Sequence, residues 1–141
     1  MASLNWLNKQ NLLNTWDKLS ASFSKPPLPV KTNFFRLLAV GQKVGLWLRE
    51  SLISISMSEH NKVMKSIIDD MIEQVNQWLS LYVAMQKHDY FFSSTEIELI
   101  RAAQGMGNMP ETLEGIALEM EYFAQFSKKI KWALTCLLTV L

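Results

Sequence analysis

The sequence predicts an all-α fold: an antiparallel helical bundle of about six helices, the last one leading into a truncated transmembrane segment. Three observations predict it. Apolar residues recur at helical spacing, most plainly Val63, Ile67, Met71, Val75 and Trp78, at steps of four, four, four and three. No alternating run is long enough to make a pair of strands. Short connectors rich in Gly, Pro, Ser or Asn separate the apolar stripes, which sets successive helices antiparallel.

The elements follow in order. Residues 1–23 form an amphipathic arm. Leu12, Trp16, Leu19 and Phe23 fall on one side with Trp6, and Asn, Gln, Lys and Ser fill the other. Two tryptophans on a short terminal helix need cover, from this domain, a partner helix or an interface. Residues 24–30, SKPPLPV, read as a stiff, extended linker. A bundle is expected over residues 31–129. Its first helix starts near Thr32, with Thr32 or Asn33 as cap, and breaks at Gly45. A segment from Leu48 to Met57 comes next. Ser58 is expected to open the following helix, with Asp69, Asp70 and Glu73 facing away from its apolar side.

A short helix covers Ser80 to Lys87, broken by His88-Asp89, and Tyr90, Phe91 and Phe92 pack the turn. Ser94 is expected to cap a helix ending near Gly105 or Gly107. The last helix starts at Pro110 and runs into residues 130–141, the expected start of a first transmembrane helix. From Trp132 the chain reads WALTCLLTVL, without a charge. Ten residues rise about 15 Å, half a hydrocarbon core, so this stretch alone cannot span. Lys128, Lys129 and Lys131 stand before it as a membrane-proximal basic collar. The competing reading is a buried terminal helix of a soluble domain.

Composition narrows the chemistry. The chain has 141 residues, 49% of them apolar, enough for one domain with a core and short extensions. A net charge of +1 gives no electrostatic footprint for nucleic acid. One cysteine, Cys136, excludes an internal disulfide and fits a reducing compartment. Asn, Lys and Asp interrupt the apolar residues of the N-terminus, unlike a signal peptide. His60 and His88 lie far apart with no cysteine near either, so a zinc site is poorly supported. Asp69, Asp70 and Glu73 read as a solvated face, with a divalent cation as the weaker alternative. No catalytic residues and no cofactor are expected.

The stretch IRAAQGMGNMPETLEG raises the question of phosphate binding. A dinucleotide fingerprint needs a strand before its glycines, and a P-loop needs a following Gly-Lys-Ser/Thr. Neither is present. The better reading is a helix hairpin: Gly105 or Gly107 supplies a left-handed cap, and Pro110 starts the next helix. Gly41 and Gly45, small positions on an apolar stripe, imply close helix contact, either inside the domain or with a second helix.

The hairpin resembles the signature of the type II secretion system F / type IV pilus inner-membrane platform protein family. That signature reads roughly Gly-Glu-x-Ser/Thr-Gly-x-Leu, then x-x-x-Leu. The matching stretch here is Ala103, Gln104, Gly105, Met106, Gly107, Asn108 and Met109, then Leu113. Gly107 and Leu113 match, and Met109 stands in for leucine. Ala103, Gln104 and Met106 depart from the pattern. Phe35, Arg36, Leu38 and Ala39 resemble the family's opening helix, and Gly45-Leu46 its break. Ser80, Ala84, His88 and Phe91 or Phe92 resemble its Ser-x-x-x-Ala with a following His and Phe. The glycine usual before that serine is missing, with Trp78 and Leu79 at the site. Arg101 and Ala102 fit the end of the helix before the signature.

The resemblance covers about residues 32 to 141. It implies the first cytoplasmic domain of a non-enzymatic platform at the bacterial inner membrane, on its cytoplasmic side. Implied partners are a hexameric secretion or pilus assembly ATPase, inner-membrane assembly proteins, pilins and further copies of the chain. The divergent signature points to a remote branch such as a type IVb pilus. Some members bind a divalent cation through acidic residues, and Gln104 in place of glutamate weakens that expectation here. The residues expected at protein interfaces are Trp6, Leu12, Trp16 and Leu19 on the arm, and Gly41 and Gly45. The alternative is a soluble helical adaptor without a membrane segment.

Overall fold

The computed structural model describes residues 26–141. These form six α-helices and no strand: α1 (Leu28–Lys43), α2 (Leu48–Ser58), α3 (Lys62–Asn76), α4 (Leu81–Gln86), α5 (Ser94–Met106) and α6 (Met109–Val140). The arm lies outside the described residues.

Helix α1 begins inside the proline-rich stretch, not after it. Pro27 is its extended N-cap, and Pro29 occupies its first turn. A first-turn N–H has no partner within the helix, so proline loses nothing there and its fixed φ suits the helix. The expected linker is therefore shorter and the helix starts four residues earlier than Thr32. Thr32 is not a cap: its buried hydroxyl donates to the Leu28 carbonyl at 2.9 Å.

Two further caps move. Helix α2 continues through Ser58, and Asn61 caps α3 by accepting from the Met64 amide at 3.0 Å. Glu59 closes the turn by accepting from the Asn61 amide. Ser93, not Ser94, caps α5 in a reciprocal capping box with Glu96. Asn108 precedes α6 without capping it through its side chain.

All six helices contribute to the core. Phe34 and Phe35 of α1 meet Phe92 from the α4–α5 turn, with ring centroids 5.4 to 6.0 Å apart in edge or tilted geometry. Around them pack Leu38, Leu52, Met64, Ile68, Met71, Leu81, Met85, Ile100 and Leu113, all fully buried. Helix α3 buries Met64, Ile67, Ile68 and Met71. The expected stripe shares Ile67 and Met71 with this face but misjudges its ends: Val63 and Trp78 are exposed. Lys31 fastens α1 to α5. Its ammonium group lies 2.7 Å from Glu96 Oε2, donates to the Phe91 carbonyl at 2.7 Å, and sits 5.0 Å from the Phe91 ring centroid.

Helix α6 packs mainly along α1, with Lys43–Glu114 and Arg36–Glu121 ion pairs beside the contact. It buries Leu113, Ile116 and Ala117, and Met120 packs at the edge. Beyond that point no residue of α6 is buried. Glu121 still pairs with Arg36 and Phe123 still faces Leu28, so the projection starts after them, and at 1.5 Å per residue residues 124–140 extend about 25 Å past the bundle.

Candidate interaction surfaces

Two exposed tryptophans frame an apolar depression. Helix α1 ends in a Schellman turn: the Leu46 amide donates to the Gly41 carbonyl at 2.9 Å, and the Gly45 amide to Gln42 at 3.1 Å. Gly45 has φ +82, the left-handed region this turn demands. The chain then delivers Trp47 as the N-cap of α2, 81% exposed.

Helix α3 ends in the same motif. The Leu79 amide donates to Gln74 at 3.2 Å and the Trp78 amide to Val75 at 3.0 Å. Here Trp78, not glycine, takes the left-handed position at φ +64, and its side chain is 96% exposed. A left-handed bulky residue costs about 1–2 kcal/mol. Between the two indoles lies a groove of about 420 Å³ lined by Leu48, Val75 and Leu79, with Arg49 donating to Asn76 along one side.

This rim was only partly visible in the sequence. Nothing in the sequence pattern singles out Trp47, and the periodicity puts Trp78 on the apolar face of α3, where the structure exposes it. The available signal was the glycine missing before Ser80: where a helix end needs a left-handed residue and the chain supplies tryptophan, the side chain is driven outward.

A polar cluster ties α3 to the α4–α5 turn. His88 Nε2 lies 2.7 Å from Asp70 Oδ2, and Nδ1 lies 3.2 Å from the Tyr90 hydroxyl. An imidazole protonated at Nε2 satisfies both contacts, donating to Asp70 and accepting from Tyr90. Gln74 also donates to Asp70, and Ser56 donates to Asp69. Burial, then the nearby Asp70 charge, raises the Tyr90 pKa above its usual value of 10.0. Glu73 is exposed. Among the described residues no group of three His, Cys, Asp or Glu side chains is arranged to hold a metal ion. Asp69 and Asp70 serve as acceptors that join helices.

The glycine-bearing hairpin is a mechanical turn. Gly107, at φ +75, caps α5 and donates to the Ala103 carbonyl at 2.9 Å. Ala103 and Leu113 are buried on either side of it, and Met109 packs against the core. The Gln104 side chain accepts from the Tyr82 amide at 3.3 Å, satisfying a first-turn N–H of α4.

Gly41 is buried, and a Cβ there would lie 2.5 Å from Ser51 Oγ. Its close contact is thus with α2 of the same domain, and the partner helix considered from sequence finds that face taken. Gly45 is exposed and serves the turn.

The distal part of α6 exposes Lys128, Lys129 and Lys131 with Tyr122, Phe123, Phe126 and Ile130. Beyond the lysines Trp132, Leu137, Leu138 and Val140 are also exposed. No helix among the described residues is long and apolar enough to cross a membrane. Trp6, Leu12, Trp16 and Leu19 lie outside the described residues.

Comparison with curated proteins finds no match. Comparison with family models finds one, described as type II secretion system (T2SS), protein F, over residues 34–140. That span begins in α1, contains the His88 turn and the Gly107 hairpin, and ends with α6. With a matched region covering most of the chain, the chain belongs to the type II secretion system protein F family.

Proposed function

We propose that this chain is a non-enzymatic, cytoplasmic domain of an inner-membrane platform for type IV pilus biogenesis, type IVb included, or for type II secretion. In this reading it docks the hexameric assembly ATPase and other assembly proteins, and associates with further copies of itself. The match over residues 34–140 carries the proposal. Family membership gives no reason to expect catalysis, and the polar groups of the Asp70–His88 cluster serve as ties between helices.

The Trp47–Trp78 rim is the surface we assign to ATPase docking. It combines two highly exposed indoles, one of them on a tryptophan held at a left-handed position that glycine would fill without strain. Orientation at the membrane comes from α6, with its lysines at the anionic leaflet surface and the apolar residues after them entering lipid.

Co-purification of the full-length protein with candidate assembly ATPases tests this reading. Wild type is expected to retain the ATPase, and Trp47→Ala with Trp78→Gly to lose it while keeping the fold. Retention by a well-folded double variant would reject the rim as the docking surface. Absence of any ATPase from wild-type preparations would reject the function.

A further inference from the structure

A second groove lies at the other end of α1, between α5 and α6. Leu28 stands at its edge, Leu99, Met120 and Phe123 supply apolar walls, and Glu96 and Glu119 are its charged members. Leu28 is 40% exposed, Leu99 41% and Phe123 67%. Its volume of about 260 Å³ suits one or two large side chains, less than an ordinary small-molecule site provides. We propose that the amphipathic N-terminal segment of this same chain packs across this groove, with Phe23 and Leu19 entering it between Leu28, Leu99, Met120 and Phe123 and Trp16 lying along its edge. The proposal concerns a different surface from the Trp47–Trp78 rim and does not depend on ATPase docking.

Three observations select this occupant. The first is reach. Phe23 precedes Leu28 by five residues, so an extended chain holds it within about 17 Å of the groove edge. The Trp47–Trp78 groove lies beyond the far end of α1, a 16-residue helix about 24 Å long. The second is pattern. Leu12, Trp16, Leu19 and Phe23 form one apolar stripe, the shape that fills a groove between two helices. The third is charge. Residues 1–25 carry Lys9, Lys18 and Lys25 against one acid, Asp17, while the described lining of the groove offers Glu119 beside Glu96, the latter already paired with Lys31. A docked arm would cover the exposed apolar surface near Leu28 and brace the base of the projecting part of α6.

Hydrogen–deuterium exchange on the full 141-residue chain tests the proposal, run at two protein concentrations with and without detergent micelles. In wild type, amides of residues 12–23 should exchange at least ~10-fold slower than in the isolated peptide, at both concentrations and without micelles. Leu99→Glu with Phe123→Glu should return them to the peptide rate while α3 amides stay protected. Both side chains are exposed in the bundle, so the fold should tolerate the change. Trp16→Ser, on the arm itself, should have the same effect without touching the bundle. Trp47→Ala with Trp78→Gly should leave the arm protected. The proposal is overturned by an unprotected wild-type arm, or by protection that survives both the groove and the Trp16 variants. Protection that depends on concentration, on micelles or on the Trp47–Trp78 rim would assign the arm to a second copy, a lipid surface or the other groove, and would equally overturn it.

Discussion

Trp78 sits where physical chemistry favours glycine, and its strain is measurable. At φ +64 its Cβ crowds the backbone, while its exposed indole recovers almost nothing by burial. Trp78→Gly should therefore stabilise the domain. Relief of about 1–2 kcal/mol is offset in part by greater chain entropy in the unfolded state, leaving a gain of about 0.5–1 kcal/mol. Chemical denaturation checks it, and a loss of stability would show that the indole packs usefully in the isolated domain. Tyr90 gives a pH signature of the opposite kind. Burial and the nearby Asp70 charge hold its hydroxyl neutral to higher pH than in the unfolded chain. Above the unfolded value near 10 the native state therefore binds more protons. Its stabilisation is complete below that pH and is lost as pH rises through the folded pKa. Tyr90→Phe should remove this part of the alkaline fall, leaving a shallower decline above pH ~10 in a pH series of denaturant midpoints. An unchanged slope would mean that Tyr90 ionises as it does in the unfolded chain.

Helices α1 and α2 meet through Gly41 and Ser51, and the closeness of that crossing explains a glycine within a helix. Alanine at 41 would gain helix propensity but place its Cβ 2.5 Å from Ser51 Oγ and 3.0 Å from Ser51 Cβ. Overpacking of this kind costs about 1–3 kcal/mol, so Gly41→Ala should destabilise despite the better propensity. Ser51→Gly in the same chain should recover part of the loss, and a double-mutant cycle on denaturation midpoints measures the coupling. Additive effects would mean that the helices simply move apart.

The same contrast between local and tertiary information decides what was legible in the sequence. The helical class, the Gly45 break, a cap at Gly105 or Gly107 and the aromatic turn at Phe91 and Phe92 are readable, because periodicity and left-handed caps are local signals, while the choice of Gly107 comes from the fold. The start of α1 was misplaced because prolines in a first turn look like a linker from sequence alone. Ser58 and Ser94 lost the capping role because a neighbouring Asn61 or Ser93 was better placed against the amides that needed it. The ends of the α3 face, and with them Trp78, depended on where that helix stops. Gly41 was read as a close-contact position, but only the fold identifies Ser51 as its neighbour. Of the residues expected at interfaces, the arm falls outside the described region, while Trp47 and the Leu28 groove appear only once the helices are assembled.

Residues 26–141 form an asymmetric body: a packed bundle around Phe34, Phe35 and Phe92, and a long helix whose distal part extends beyond it. That distal part presents lysines first and then a run of exposed apolar residues. A bundle stabilised by its own core does not need this surface, and water is a poor environment for the exposed Trp132, Leu137 and Leu138. The membrane attachment proposed above would account for both halves of the pattern, with the lysines at anionic headgroups and the apolar residues deeper. The two contributions can be separated. Replacing Lys128, Lys129 and Lys131 with glutamate leaves the apolar run intact but reverses the charge at the surface. Each lysine near an anionic leaflet contributes on the order of a fivefold gain in binding, so losing three lowers partitioning to anionic vesicles by roughly a hundredfold, and repulsion of the three added carboxylates lowers it further. Binding to neutral vesicles, where only the apolar residues act, should change little, and the effect should shrink as salt is raised. Flotation of the 141-residue chain with vesicles of each composition measures it. Equal flotation of wild type and variant on anionic vesicles would reduce the lysines to a solvated helix face and leave the apolar residues to act without them.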